Sequence, residues 1–180
     1  GVNYANSGGG MFRSYAHVEV FDSEWARDHF PDDANGNAYS KRRPLCETLG
    51  YLGATPQAYV NCAFDKESNA SENDWTDLMN LMFALDASTT PDNDYVAAVR
   101  RNLNVEQGLR YFAVLFMMNY TETALATGDD DDYDLYRGLN DPRFLFLPHD
   151  FDQIFGTQGS LPDDMFQAAR APNGPGFLRH

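Results

Sequence analysis

The chain has 180 residues and carries 13 Lys and Arg against 27 Asp and Glu, a formal charge of −14. Nucleic-acid binders present a basic footprint that displaces counterions from phosphates, so this balance excludes a general nucleic-acid binder. With 43% hydrophobic and 14% aromatic residues the chain can bury a one-domain core, which excludes an acidic disordered tail, and its longest unbroken apolar run, residues 111–118, is far shorter than the roughly 20 residues of a membrane span.

The chain opens on a Gly-rich stretch that reads as a loop already under way, so residues 1–180 are expected to be one domain core within a longer protein. Residues 14–21 alternate in a way that suits a strand. Asp22 and Ser23 then offer caps for a short helix over 24–30, with Glu24 in its first turn, and Pro31 ends it. Residues 32–36 carry turn chemistry, 38–41 resume as a strand, and two more extended stretches are expected near 48–52 and 58–64. From Asp74 the period changes. Trp75, Leu78, Met79, Met82 and Leu85 form the stripe of an amphipathic helix, capped by Asn73 or Asp74. A second helix fits 91–103 with Pro91 in its first turn, and a third begins at Asn104. The middle of that third helix, 111–118, is apolar on every side, which predicts a helix enclosed at the centre of the fold. Residues 133–137 and 143–147 read as an aromatic-rich hairpin across 138–142, and 161–170 as a last short helix. Strands, then helices, then a hairpin argue for an α+β fold.

Cys46 and Cys62 are open to two readings, a disulfide in an oxidising compartment or a pair of buried thiols. Neither has a second Cys or His at zinc-ligand spacing. Asn69, Ala70 and Ser71 form a glycosylation sequon, meaningful only in a eukaryotic secretory context.

The most informative segment is 144–156, where an apolar strand delivers Pro148, His149, Asp150, Phe151 and Asp152 at the point where it stops. Asp150 and Asp152 point to opposite faces of an extended chain, but a turn directly after the strand brings both to one hard cation. Together with Tyr133, Asp134, Leu135, Tyr136 and Arg137 ahead of it and Ile154, Phe155 and Gly156 behind, the segment resembles the signature of the spore coat protein H (CotH) kinase family. There a tyrosine-rich strand precedes a strand ending in Pro-Trp-Asp-x-Asp, and His149 stands at the usual Trp position. Tyr15 through Glu19, then Gly36 through Lys41, resemble the same family's Tyr-x-x-x-Glu strand and its glycine-to-lysine stretch, so the similarity runs over residues 15–156.

The resemblance implies a protein-kinase-like fold with short N-terminal strands, a helical middle holding a buried central helix, and a C-terminal hairpin of catalytic type. It implies a phosphotransferase that uses ATP with Mg2+ (or Mn2+) to phosphorylate protein hydroxyls. Asp150 is then the metal ligand with Asp152 its helper, and Asp132, where the family usually has Asn, is a third. Metal is obligatory on this reading, because ATP is anionic and approaches these carboxylates only with divalent ions between them. Glu19 and Lys41 are the candidate ion pair that positions the nucleotide, although Lys41, Arg42 and Arg43 equally read as a basic surface patch.

One departure bears on catalysis. The family places an Asn-aromatic-Asp motif after the buried helix, its Asp orienting the attacking hydroxyl. Here Asn119, Tyr120 and Thr121 stand in that order, and a threonine is no base. Glu122 or Asp129, on a loop longer than the usual one, is the expected substitute. The run Asp129 to Asp132, with Asp134 after it, lacks the glycine and glutamate of a calcium-binding EF-hand and reads as a solvated acidic loop, Asp132 excepted. His17 and His149 read as structural residues, His149 packing against the strand end.

Two functions follow: an extracytoplasmic or secreted kinase core acting on a protein substrate, with ATP between the acidic hairpin and the early strands; or a non-catalytic secreted surface module of the same fold that binds a cation structurally or binds none.

Overall fold

A computed structural model describes residues 19–43, 45–46, 49–118, 120 and 132–151. Helix α1 (Ser23–His29) starts where expected, because the Asp22 carboxylate accepts the backbone N–H groups of Glu24 at 2.8 Å and Trp25 at 3.0 Å. Strand β1 (Asn37–Lys41) follows. Residues 58–64, expected as a strand, fold instead mainly as helix α2 (Pro56–Asn61), with only Phe64 opening strand β2 (Phe64–Lys66). Pro56 at the first helical position explains the difference. Its fixed φ and missing N–H favour a helix start, and this local signal outweighs a stretch with a single β-branched residue. Residues 49–52 are not in a strand either.

Helices α3 (Thr76–Leu85), α4 (Asp92–Asn102) and α5 (Val105–Met117) agree with the periodicity to within two residues. The hairpin is strand β3 (Tyr133–Arg137) and strand β4 (Leu145–Pro148). The four strands form one antiparallel sheet in the order β2-β1-β3-β4. Residues 1–18 and 161–170, with the expected strand and helix they carry, lie largely or wholly outside the described residues.

The pairing register divides the sheet's side chains between two faces. Tyr39 opposite Leu135, Leu135 opposite Phe146, and Lys41 opposite Tyr133 lie on one face, and Tyr39, Leu135, Phe146 and Tyr133 join the main core with Leu78, Leu81, Met82, Phe112 and Leu115 of the helices. Ala38, Tyr136 and Leu147 lie on the other face and pack with Trp25 and Ala26 of α1, where Phe30 stacks on Tyr136 at 4.7 Å. Toward the far end of that second face the residues turn polar, with Ser40 paired to Asp134 in the register.

Helix α5 departs from the expectation of a helix enclosed on all sides. Tyr111, Phe112 and Leu115 are buried, the first two against the Phe146 ring, while Val114 is 50% and Met117 74% exposed. A run of uninterrupted apolar residues carries no phase, so the sequence pattern could not say which side faced the sheet. The outer edge of β4 is closed by the start of this helix. Phe144 exchanges hydrogen bonds with Asn102 and Asn104, and the Gln107 side-chain amide both donates to the Phe146 carbonyl at 2.7 Å and accepts its N–H at 3.0 Å. Pro148 has no N–H to offer, so the edge presents few free groups to another strand.

The turn of the hairpin is fastened to the loop after α1. The Asp33 carboxylate accepts the N–H groups of Leu139 at 2.7 Å, Asn140 at 2.9 Å and Asp141 at 3.1 Å, and the Tyr136 hydroxyl donates to the Asp33 carbonyl at 2.5 Å. Cys46 and Cys62 are joined as a disulfide with Cα atoms 5.4 Å apart, the first of the two readings above.

Candidate active site

The open end of the hairpin, opposite its turn, gathers the acidic residues. Tyr133 pairs with Pro148, so Asp132, just before β3, and His149 with Asp150, just after β4, leave the sheet side by side. Asp132 has φ 57° and Asp150 φ 46°. Aspartate tolerates this left-handed conformation better than most residues, and such turns cluster where a chain re-aims a side chain at a site. One ligand atom each from Asp132, His149 and Asp150 lies within 4.8 Å of the others. A single divalent ion with metal–ligand distances of roughly 2.0–2.6 Å fits such a triangle. Asp132 and His149 are half-buried and Asp150 is exposed, leaving one side open to solvent.

Two buried groups hold this arrangement. Tyr120, 0% exposed, places its hydroxyl 2.6 Å from the Asp150 carbonyl and 3.2 Å from that of His149, donating to the chain just beyond the strand, and its ring packs edge-on to Phe151. Asp134, 1% exposed, lies on the sheet's second face. Its Oδ2 accepts from Arg42 Nη1 at 3.2 Å, its Oδ1 stands 3.0 Å from Nη2 without hydrogen-bond geometry, and Oδ2 is 3.6 Å from His149 Nδ1. Burial pushes the Asp134 carboxyl up to about 7 against the opposing pull of Arg42. Burial, then the Arg42 charge, lowers the His149 pKa, with Asp150 acting the other way. The imidazole is therefore neutral near pH 7, the form that binds metal.

The expected site residues divide. Asp132 and Asp150 come together as anticipated. Glu19 and Lys41 do not pair with each other. Glu19 is at the surface with its Oε2 3.1 Å from His29 Nε2. Lys41 is fully buried, its Nζ donating at 2.5 Å to the carbonyls of Leu45 and Cys62 and lying 5.1 Å from the Phe64 ring centre. Strand alternation separates the basic trio 41–43. Lys41 points into the core, Arg42 is drawn to Asp134, and Arg43 is exposed. His149, expected to pack against the strand end, instead joins the acidic cluster, because the carboxylates on either side give a polar ring more than an apolar contact would. Glu122, Asp129, Asp152, Thr121 and His17 lie outside the described residues.

Sequence reasoning missed Asp134, Arg42 and Tyr120. The first was legible in outline, since Asp134 lies one residue into a strand with apolar neighbours on both sides and is thereby removed from the solvated acidic run. The Tyr120 contact had no local signal, because its partners lie about 30 residues away.

An antiparallel sheet backed by helices, with a hairpin that delivers two aspartates to one end, is an α+β fold of the kinase-like class. The chain belongs to the CotH family: the family model described as CotH kinase protein matches residues 14–177. No curated protein sequence matches the chain. Membership carries a kinase-like function as its coarse meaning, and among the described residues no helix is long and apolar enough to cross a membrane.

Proposed function

We propose that this chain is the core of a CotH-like protein kinase that transfers a phosphoryl group from ATP, with Mg2+ or Mn2+, to hydroxyls of a protein substrate. The convergence of Asp132 and Asp150 at one end of the hairpin carries this reading. A divalent ion there supplies the positive charge that lets anionic phosphates approach two carboxylates and offsets charge on the group in transfer. Asp132 and Asp150 would hold it, with Asp152 the next carboxylate in sequence, while Tyr120 keeps the Asp150 segment in place. Arg42, 30% exposed and bordering the cluster through Asp134, is better placed than the enclosed Lys41 to meet a phosphate. Glu122 and Asp129 are the proposed substitutes for the aspartate that Thr121 replaces, orienting the acceptor hydroxyl. An extracytoplasmic or secreted location is supported by the Cys46–Cys62 disulfide, since such bonds persist in oxidising compartments.

The second reading is a non-catalytic surface module. It is favoured by Thr121 at the position of the orienting base and by the enclosure of Lys41 among backbone carbonyls. Phosphate transfer by the full-length parent protein, assayed with labelled ATP, Mg2+ or Mn2+ and several acceptor proteins, separates the two. For a kinase, Asp150→Ala abolishes transfer, and Glu122→Gln lowers kcat with little change in ATP affinity. A parent protein that binds the metal ion yet transfers nothing is the surface module.

A further inference from the structure

His149 is the residue that sets this cluster apart from an all-oxygen site. Its imidazole contributes one nitrogen within 4.8 Å of a carboxylate oxygen from each aspartate, and its main chain is held by the Tyr120 hydroxyl. Behind it stands Asp134, an acid 1% exposed that accepts a hydrogen bond from Arg42 and lies beside the imidazole. Burying a carboxylate is costly unless its neighbours use the charge. Among the described residues it caps no helix, and its Oδ1 makes no hydrogen bond. Its Oδ2, hydrogen-bonded to Arg42, also stands 3.6 Å from Nδ1 of His149. At protein metal centres a carboxylate that accepts the second N–H of a ligating imidazole fixes its tautomer and ring orientation and raises its basicity, and Asp134 is the acid within reach of that role here.

We propose that His149 is a nitrogen ligand in the metal centre formed with Asp132 and Asp150, that Asp134 positions its ring, and that the nitrogen biases the site toward transition-metal divalent ions over Mg2+. The inference rests on the cluster being a metal centre, as proposed above, and adds the identity of the third ligand and the class of ion preferred. The chemistry follows from the donor set. Mg2+ favours oxygen ligands in a near-ideal octahedron and keeps several waters. Imidazole is a softer donor that suits first-row transition ions, whose affinities for mixed nitrogen and oxygen sites rise from Mn2+ to Cu2+ and fall back at Zn2+. With two carboxylates retained, the site still accepts the hard ions, so a shift in preference is expected rather than exclusion of Mg2+.

Mn2+ is the probe, because its electron spin reports a directly bound nitrogen as 14N modulation of the spin echo. The full chain is loaded with Mn2+ alone, without nucleotide. The expected result is 14N modulation that changes to the 15N pattern when only the histidines are 15N-labelled, a comparison that needs no mutation and no folded variant. His149→Phe should erase that modulation, weaken Mn2+ binding by about 10- to 100-fold, and lower the Mn2+ to Mg2+ affinity ratio by about 10-fold. Asp134→Asn should weaken Mn2+ binding by about 10-fold with the nitrogen coupling retained, the size typical for loss of an outer partner of a metal-bound histidine. Tight Mn2+ binding with no histidine nitrogen coupling would overturn this inference and leave the metal centre of the kinase reading in place. Failure of the wild-type chain to bind either ion at millimolar concentration would overturn both. An unchanged Mn2+ to Mg2+ ratio in His149→Phe would refute the selectivity.

Discussion

The clamp at the hairpin turn lends itself to a sharp test. A Cβ built on Gly138 would stand 1.8 Å from Oδ2 and 2.4 Å from Cγ of Asp33. In Gly138→Ala the carboxylate must therefore swing away, and it gives up its bonds to the N–H groups of Leu139, Asn140 and Asp141. Hydrogen bonds to a charged acceptor contribute about 1.5–3 kcal/mol each when buried. Two of these three are exposed, so water takes over much of each, and roughly 1 kcal/mol per bond is the better figure. The expected loss is about 2–4 kcal/mol, or about 2–4 °C of Tm per kcal/mol for a chain of this size. Urea unfolding followed by tryptophan fluorescence suits the measurement, because Trp25 packs beside Tyr136 at the same end of the hairpin. Asp33→Ala should cost about as much as Gly138→Ala, and the double variant no more than either alone, since both remove the same three bonds.

The clamp also predicts a pH dependence. Burial works against ionisation of Asp33, but the N–H groups of Asn140, Asp141 and Leu139 together outweigh it and hold the carboxyl below its ordinary value. A carboxyl depressed on folding contributes stability that is fully present above its unfolded pKa of about 3.9 and is lost as pH falls through the lower folded value. The gap between wild type and Asp33→Ala should therefore be constant near neutrality and narrow below about pH 4. If Gly138→Ala costs as much in the Asp33→Ala background as in the wild type, its penalty does not come from the clamp and the reasoning fails.

Two further outcomes test the core and the covalent link. Leu115→Ala should cost about 2–5 kcal/mol because Leu115 is 1% exposed, whereas Met117→Ala, at a position 74% exposed, should stay within about 0.5 kcal/mol; equal effects by chemical denaturation would mean that the outward face of α5 is misassigned. Reduction, or Cys46→Ser with Cys62→Ser, should cost roughly 3 kcal/mol, given a bridge between residues 16 apart in sequence. It should also loosen Lys41, which donates to the carbonyls of Leu45 and Cys62. Alkylation without reductant followed by mass spectrometry should label neither cysteine in exported protein, and two labelled thiols would exclude the bridge.

Much of this protein was written locally in its sequence. The 3.6-residue stripe from Trp75 to Leu85 sets α3, the Asp22 cap sets the start of α1, and two aromatic-rich stretches around a Gly, Asn, Asp and Pro turn set the hairpin, because each signal acts over a few residues and needs no partner. The same locality made Asp150 legible as a candidate, since it sits where a strand ends, whereas Asp132 was singled out by the resemblance to the family. What only the tertiary structure decided were relations between distant segments: which side of α5 meets Phe146, that Tyr120 reaches the Asp150 carbonyl, that Lys41 is enclosed while Arg42 is drawn to Asp134, and that His149 joins the carboxylates. These depend on strand register and on the cost of burying charge without a partner. Neither is encoded in a residue's near neighbours; both are settled when the sheet closes and each buried charge must find a partner or be excluded.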